Sequence, residues 1–208
     1  VGCGTGISTR AFAETGPAVI GIEPNAEMRA AAIALGGATY MEGTSTSTGL
    51  PDASADLIVA AQAFHWFNIP ATLREFARIG TQRAMCAAFW NIREMEGAFM
   101  TGYERLLQKH STEYEVNDRA LRTLASLRST IGSKAREHAV HHAIRMDLSR
   151  LRTLALSSSY VKHRVADLPA FLAELEGLFA AHEHGGEVAM CYVTHAIAWQ
   201  AHAMSVRS

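Results

Sequence analysis

The chain opens Val1-Gly2-Cys3-Gly4-Thr5-Gly6, with glycine at every second position. Glycine lets a backbone come close to a ligand. With a helix starting near Ile7, the loop N–H groups and the helix N-terminus can face one. By itself the loop fits several kinds of nucleotide binder, and also a tight strand-to-helix turn that holds nothing. Glu23 narrows the choice. It closes the apolar run AVIGIE (18–23), 17 residues after Gly6. Where strands and helices alternate, a carboxylate at that strand end lies beside the glycine loop and can accept from both hydroxyls of a ribose. A third cluster, Gln62, Phe64, His65, Trp66 and Phe67, follows the apolar run DLIVAA (56–61). It falls at the C-terminal end of that strand, outside which open α/β sheets bind their ligands. Phe64, with either Trp66 or Phe67, is expected to pack inward. His65 has the pKa range for acid–base work or for holding a loop by hydrogen bonds.

The elements needed to position these groups can be read from periodicity. ISTRAFAET puts Ile7, Ala11 and Phe12 on one helical face and stops at Gly16. PNAEMRAAAIAL reads as a helix with Pro24 in its first turn and Gly36-Gly37 as its stop. ATYMEG, DLIVAA and AMCAAFW (84–90) read as strands, and PATLREFARI (70–79) as a helix. This alternation predicts a Rossmann-like, doubly wound α/β sheet in three α/β/α layers. It is mostly parallel, with EVAMCYVTHAIAW (187–199) as an antiparallel C-terminal strand. AVHHAIRMD (139–147) is a further strand candidate. The segment LPAFLAELEGLFAAHEHGG reads as a helix capped by Asp167, with Phe171, Leu175, Leu178 and Phe179 on one face.

The 208 residues fit one domain spanning 1–208, with 93–136 as a candidate helical lid. The pattern begins mid-motif at Val1, so a strand and helix are expected ahead of it. Net charge is −1, without the basic bias of a nucleic-acid binder, and no apolar run is long enough to span a bilayer. Cys3, Cys86 and Cys191 are scattered and form no CxxC, which suits reduced thiols in a cytoplasmic protein. HAVHH (138–142) and HEH (182–184) have no zinc-like partner set, so no metal is expected.

VGCGTG, GIEPNAEM, the EGT to AQAFHWF stretch and FWN, in this order, resemble the class I S-adenosylmethionine-dependent methyltransferases, most closely their type 11 group. The resemblance covers residues 1–91 and continues more faintly through SSSYV (157–161) and YVTHAIAW (192–199). It implies that Gly2, Gly4 and Gly6 shape the loop under the methionine part of the cofactor. Glu23 would hold the ribose, and Pro24 and Met28 would border the adenine. Gly43 and Thr44 would lie at the adenine edge. Gln62 would sit near the sulfonium, and His65 and Trp66 on the substrate side, with His65 as the candidate base. Three departures stand out. The strand and acid that precede the loop in the family are missing. Thr46 stands where many relatives have Glu. QRA (82–84) replaces a Pro-Gly-Gly turn, which predicts altered geometry there.

The implied function is methyl transfer from S-adenosylmethionine to a small-molecule acceptor, with neither nucleic acid nor membrane as a partner. Two alternatives stay open: a non-catalytic cofactor-binding or partner protein of the same fold, and an NAD(P)-dependent oxidoreductase. Against the latter, the loop reads GxGxG and not GxGxxG.

Overall fold

A computed structural model describes residues 1–111 and 118–202. The chain divides into two compact units. The first comprises Val1–Trp90, Arg119–His138 and His195–Ser208; the second comprises Asn91–Asp118 and Ala139–Thr194.

The first unit carries the expected alternation: α1 (Ile7–Ala13), β1 (Ile20–Ile22), α2 (Ala26–Leu35), β2 (Thr39–Met41), β3 (Ala55–Ala61), α3 (Ile69–Ile79) and β4, which spans Gly80–Arg93 and runs past the unit's edge. Both longer helices begin at an asparagine cap. Asn25 Oδ1 accepts from the Met28 N–H at 2.9 Å, and Asn68 Oδ1 from the Ala71 N–H at 3.1 Å. Pro24 therefore precedes the α2 cap and is not in its first turn. In α3 the stripe Leu73, Phe76 and Ile79 is buried, as 3.6-residue periodicity requires. Helix α1 departs from expectation. Ile7 is 73% exposed and Ala11 is also exposed, while Thr9 is the buried residue.

Strands β1 and β2 pair in parallel, and so do β3 and β4. The longer sheet has the order β3-β4-β6-β5, where β5 is Arg136–Met146 and β6 is Val188–Gln200. In the first unit the Ala201 N–H donates to Ala84 O at 2.9 Å, and in the second the Glu94 N–H donates to Cys191 O at 3.0 Å, so β6 runs antiparallel to β4. In the second unit Arg145 pairs with Glu187, and the His142 ring stacks on Tyr192, so β5 is antiparallel to β6 and parallel to β4. The QRA stretch forms no turn. Ala55 pairs with Gly80 and Leu57 with Met85, so residues 81–84 of β4 lie opposite Asp56 alone. This bulge is the altered geometry expected there, and Thr81 Oγ1 anchors it by donating to Asp56 Oδ1 at 2.8 Å.

The described part of 93–136 is mainly helical, in α4 (Ala98–His110) and α5 (Asp118–Ile131), with Arg93 ending β4 and Arg136 starting β5; the expected lid also includes 112–117, which lie outside the described residues. The second unit has its own core. Tyr103 and Leu107 of α4 pack in a cluster with Leu151 of α6 (Leu148–Ser157), Val161 of α7 (Ser159–Arg164), and Phe171 and Leu175 of α8 (Leu168–His182). Asp167 caps α8 by accepting from the Ala170 N–H at 2.9 Å. Among the described residues no helix is long and apolar enough to cross a membrane.

In the first unit a buried carboxylate ties the loop after β2 to α3. Glu75 Oε1 accepts from the Thr48 N–H at 2.8 Å and from Thr48 Oγ1 at 2.6 Å, and Arg78 Nε donates to Glu75 Oε2 at 2.8 Å. Arg78 Nη1 also donates to Asp52 at 2.6 Å. The Arg78 guanidinium is the main reason that the Glu75 carboxyl is held down, from 4.5 to about 2. Its folded-state pKa is depressed, so its contribution to stability is complete above 4.5 and is lost as pH falls toward about 2. Urea midpoints measured across that window should fall for the wild type. Glu75→Gln should be less stable at neutral pH and should flatten that part of the acid dependence. Equal acid slopes in the two proteins would show that Glu75 is not the group responsible.

Candidate functional site

The candidate site residues named from the sequence all lie in the first unit. The glycine loop is left-handed at each glycine, with φ of 66° at Gly2, 55° at Gly4 and 82° at Gly6. Such a chain makes no ladder bonds of its own: the Gly6 N–H donates to Cys3 O at 2.9 Å within the loop, and the N–H groups before it need acceptors from outside. The Gly2 and Cys3 N–H groups both donate to Ile22 O, at 2.8 and 3.1 Å. The Gly4 N–H donates to Glu23 Oε2 at 2.8 Å, and the Asn25 N–H donates to Glu23 Oε1 at 3.0 Å. Glu23 is 7% exposed and clamps the loop to the start of α2. A Cβ on Gly2 would come within 2.7 Å of Ala63 Cβ and 3.1 Å of the Phe67 ring, so the loop also packs on the segment after β3.

Because β1 and β2 are parallel, as are β3 and β4, Glu23, Gly43 and Gln62 each follow the C-terminal end of their strand. Met28 Sδ is the nearest atom to a Cβ built on Gly4, at 4.0 Å, and Met28 is 49% exposed. The structure thus brings Gly2, Gly4, Glu23 and Met28 together. Pro24 is exposed beside them. Gly43 is packed for structural reasons: a Cβ there would lie 2.7 Å from Thr48 O. Thr44 is exposed, and its Oγ1 accepts from the Thr46 and Ser47 N–H groups at 3.3 and 3.1 Å within a turn. Gln62 is an exposed non-glycine residue at φ 55°, a conformation that costs on the order of 1–3 kcal/mol. Its N–H donates to Phe89 O at 2.9 Å.

Beyond Gln62, Phe64–Trp66 forms a single 3-10 turn. Phe64 is buried against Phe67, Phe76 and Trp199, so Phe67 is the second inward aromatic and Trp66 is 70% exposed. The buried Trp90 indole Nε1 donates to His65 Nδ1 at 3.2 Å. Indole is only a donor, so Nδ1 carries the lone pair and the neutral ring bears its proton on Nε2. Burial, and then the Arg119 charge, hold the His65 pKa below 6.5, which keeps that neutral form at neutral pH.

Two partners in this cluster were not expected from the sequence. Trp90 lies in the AMCAAFW strand and the FWN motif, neither of which points to His65, and its contact with His65 spans 25 positions. Arg119 follows a polar stretch without a readable motif, yet its guanidinium carbon sits 4.4 Å from the centroid of the Trp66 ring. A cavity of about 550 Å³ in this unit borders the glycine loop at Gly2 and Cys3. It lies between β1 and β3, where Phe12, Val19, Leu57 and Val59 line it, and Glu23, Met28, Gln62 and His65 do not. Among the described residues no group of three or more His, Cys, Asp or Glu side chains could hold a metal ion.

With this geometry in place, the comparisons with known proteins agree on a class. Residues 1–88 match the family model described as Methyltransferase domain. A Dictyostelium discoideum protein named as a methyltransferase is 35% identical over 79 residues, covering 38% of this chain and 30% of that protein. An uncharacterized methyltransferase of Mycobacterium bovis is 32% identical over 95 residues, covering 45% of this chain and 39% of that protein. The matched region thus spans well under half the length of these relatives. Among solved structures, one titled as a type II methyltransferase from Anaeromyxobacter dehalogenans superposes with a TM-score of 0.71 at 22% identity, covering 96% of this chain and 87% of that one. One titled as a methyltransferase of an antibiotic biosynthesis pathway in Anabaena variabilis gives 0.57 at 20%, covering 94% and 87%. Over residues 1–88 the chain is thus similar to the methyltransferase domain family. The chain shares a Rossmann-like, three-layer α/β/α fold with these solved structures.

The clamp is testable without any ligand. Glu23→Gln puts an amide NH2 where one backbone N–H now finds an acceptor. Unfolding should become easier by about 1–3 kcal/mol, and the Gly4 or Asn25 amide should exchange faster with solvent. Unchanged exchange at both amides would mean that the carboxylate does not hold the loop.

Proposed function

We propose that the chain is an S-adenosylmethionine-dependent methyltransferase that moves a methyl group to a small-molecule acceptor by in-line displacement. The observation that carries this reading is the meeting of the Glu23 carboxylate and the Met28 thioether at Gly4, inside the stretch that the methyltransferase domain model matches. The residues suit this cofactor. A Cβ on Gly4 would meet nothing closer than Met28 Sδ, so the backbone can be approached there. The exposed Met28 offers a polarisable apolar floor for a purine. Each Glu23 oxygen accepts one backbone N–H, which leaves about two of roughly four lone-pair positions for ribose hydroxyls. When bound, S-adenosylmethionine supplies an electrophilic methyl group on a sulfonium.

The protein's part is mainly positioning, the largest contribution to a displacement of this kind. Gln62 is held in a strained conformation at the end of β3, which fixes where its side chain leaves the sheet. His65 presents Nε2–H to an acceptor, because Trp90 occupies Nδ1. Proton uptake by this ring at Nε2 would require its own proton to shift first. Orienting the acceptor by hydrogen bond is therefore its first role, and that of base follows only with such a shift.

Calorimetry should show S-adenosylhomocysteine binding and no comparable binding of NAD. The reverse order would replace this reading with the oxidoreductase one. His65→Ala should keep the affinity for S-adenosylhomocysteine and lower turnover about tenfold to a hundredfold, the loss expected for one well-made hydrogen bond. Tight binding without methyl transfer to any acceptor would support a binding protein of the same fold.

A further inference from the structure

We propose that Arg119, held over the exposed face of Trp66 beside His65, makes the acceptor subsite selective for a molecule carrying a carboxylate. This rests on the methyltransferase reading and adds an acceptor class to it.

Three observations within the first unit support it. First, the Arg119 guanidinium carbon lies 4.4 Å from the Trp66 ring centroid, and the Trp66 and His65 ring centroids are 5.0 Å apart, so the three groups form one patch. A guanidinium attracted to an aromatic face keeps N–H donors at its edge, in a fork that fits the two oxygens of a carboxylate. Second, among the described residues no carboxylate forms an ion pair with Arg119. Third, His65 adds a donor and no acceptor: Trp90 fixes the lone pair on Nδ1, and burial and then the Arg119 charge oppose a second proton. A patch of donors, one positive charge and an indole face favours an anion with an apolar body. It disfavours an ammonium, which would meet Arg119 as a like charge. The carboxylate is assigned as the group recognised; the atom that takes the methyl lies elsewhere on the same molecule.

The test uses the full chain saturated with S-adenosylhomocysteine. Acids and their amides are compared by calorimetry: benzoate with benzamide, hexanoate with hexanamide, and succinate with succinamide. The wild type should prefer acid over amide by about tenfold or more in at least one pair, Arg119→Lys should keep part of that preference, and Arg119→Met should abolish it. S-adenosylhomocysteine affinity should be unchanged in both variants. The absence of acid preference in the wild type across all pairs, or its full survival in Arg119→Met, would overturn the proposal and leave the methyltransferase reading standing. Failure of S-adenosylhomocysteine to bind the wild type would remove both.

Discussion

The site depends on one carboxylate surrounded by backbone N–H groups. Three glycines with positive φ give a loop that satisfies the Gly6 N–H internally, at Cys3 O, and leaves the Gly2, Cys3 and Gly4 N–H groups to acceptors outside it. Glu23 supplies one oxygen to Gly4 and the other to Asn25, and Ile22 O takes Gly2 and Cys3. The last residues of β1 thus determine the path of the loop, and the path of the loop determines what can pack on it. Gly2 reaches within van der Waals contact of Ala63 and Phe67 only because it lacks a Cβ. Glu23 therefore acts first as a structural acceptor, and any ribose it holds would use what that role leaves over.

Wherever residues near in sequence decide the outcome, the architecture was legible. Short apolar runs between helical segments mark β1 to β3 and the middle of β4, and Asn25, Asn68 and Asp167 sit at helix starts where their side-chain oxygens satisfy free N–H groups. The failures have physical causes. Ile7 belongs to a helix of seven residues, too short for its apolar positions to define an inward face. QRA resembles a turn only beside relatives that have glycine there; here the strand absorbs the extra residues as a bulge. Helices α6 and α7 have weak stripes and become evident only against the core formed by Phe171 and Leu175.

For the site, the sequence located the loop, the acid and the aromatic cluster, because each follows a strand end. It did not show the interactions that set their chemistry. Trp90 and His65 are 25 positions apart and meet because parallel pairing places β4 beside β3. The tautomer of His65 is set by that contact and not by the histidine's own sequence context. Arg119 gave no local signal, since a lone arginine near a helix start usually faces solvent. Its meaning comes from lying over a tryptophan that the fold leaves uncovered.

The uncovered state of Trp66 has a consequence for divergence. Phe64 and Phe67 fill the core around the 3-10 turn, while Trp66 and Arg119 are both exposed. Substitutions at positions 66 and 119 therefore leave the packing of the first unit intact, whereas those at 64 or 90 disturb it. Chains sharing this framework can vary at these two positions at little thermodynamic risk, while the loop clamped by Glu23 stays bound to the geometry of its sheet.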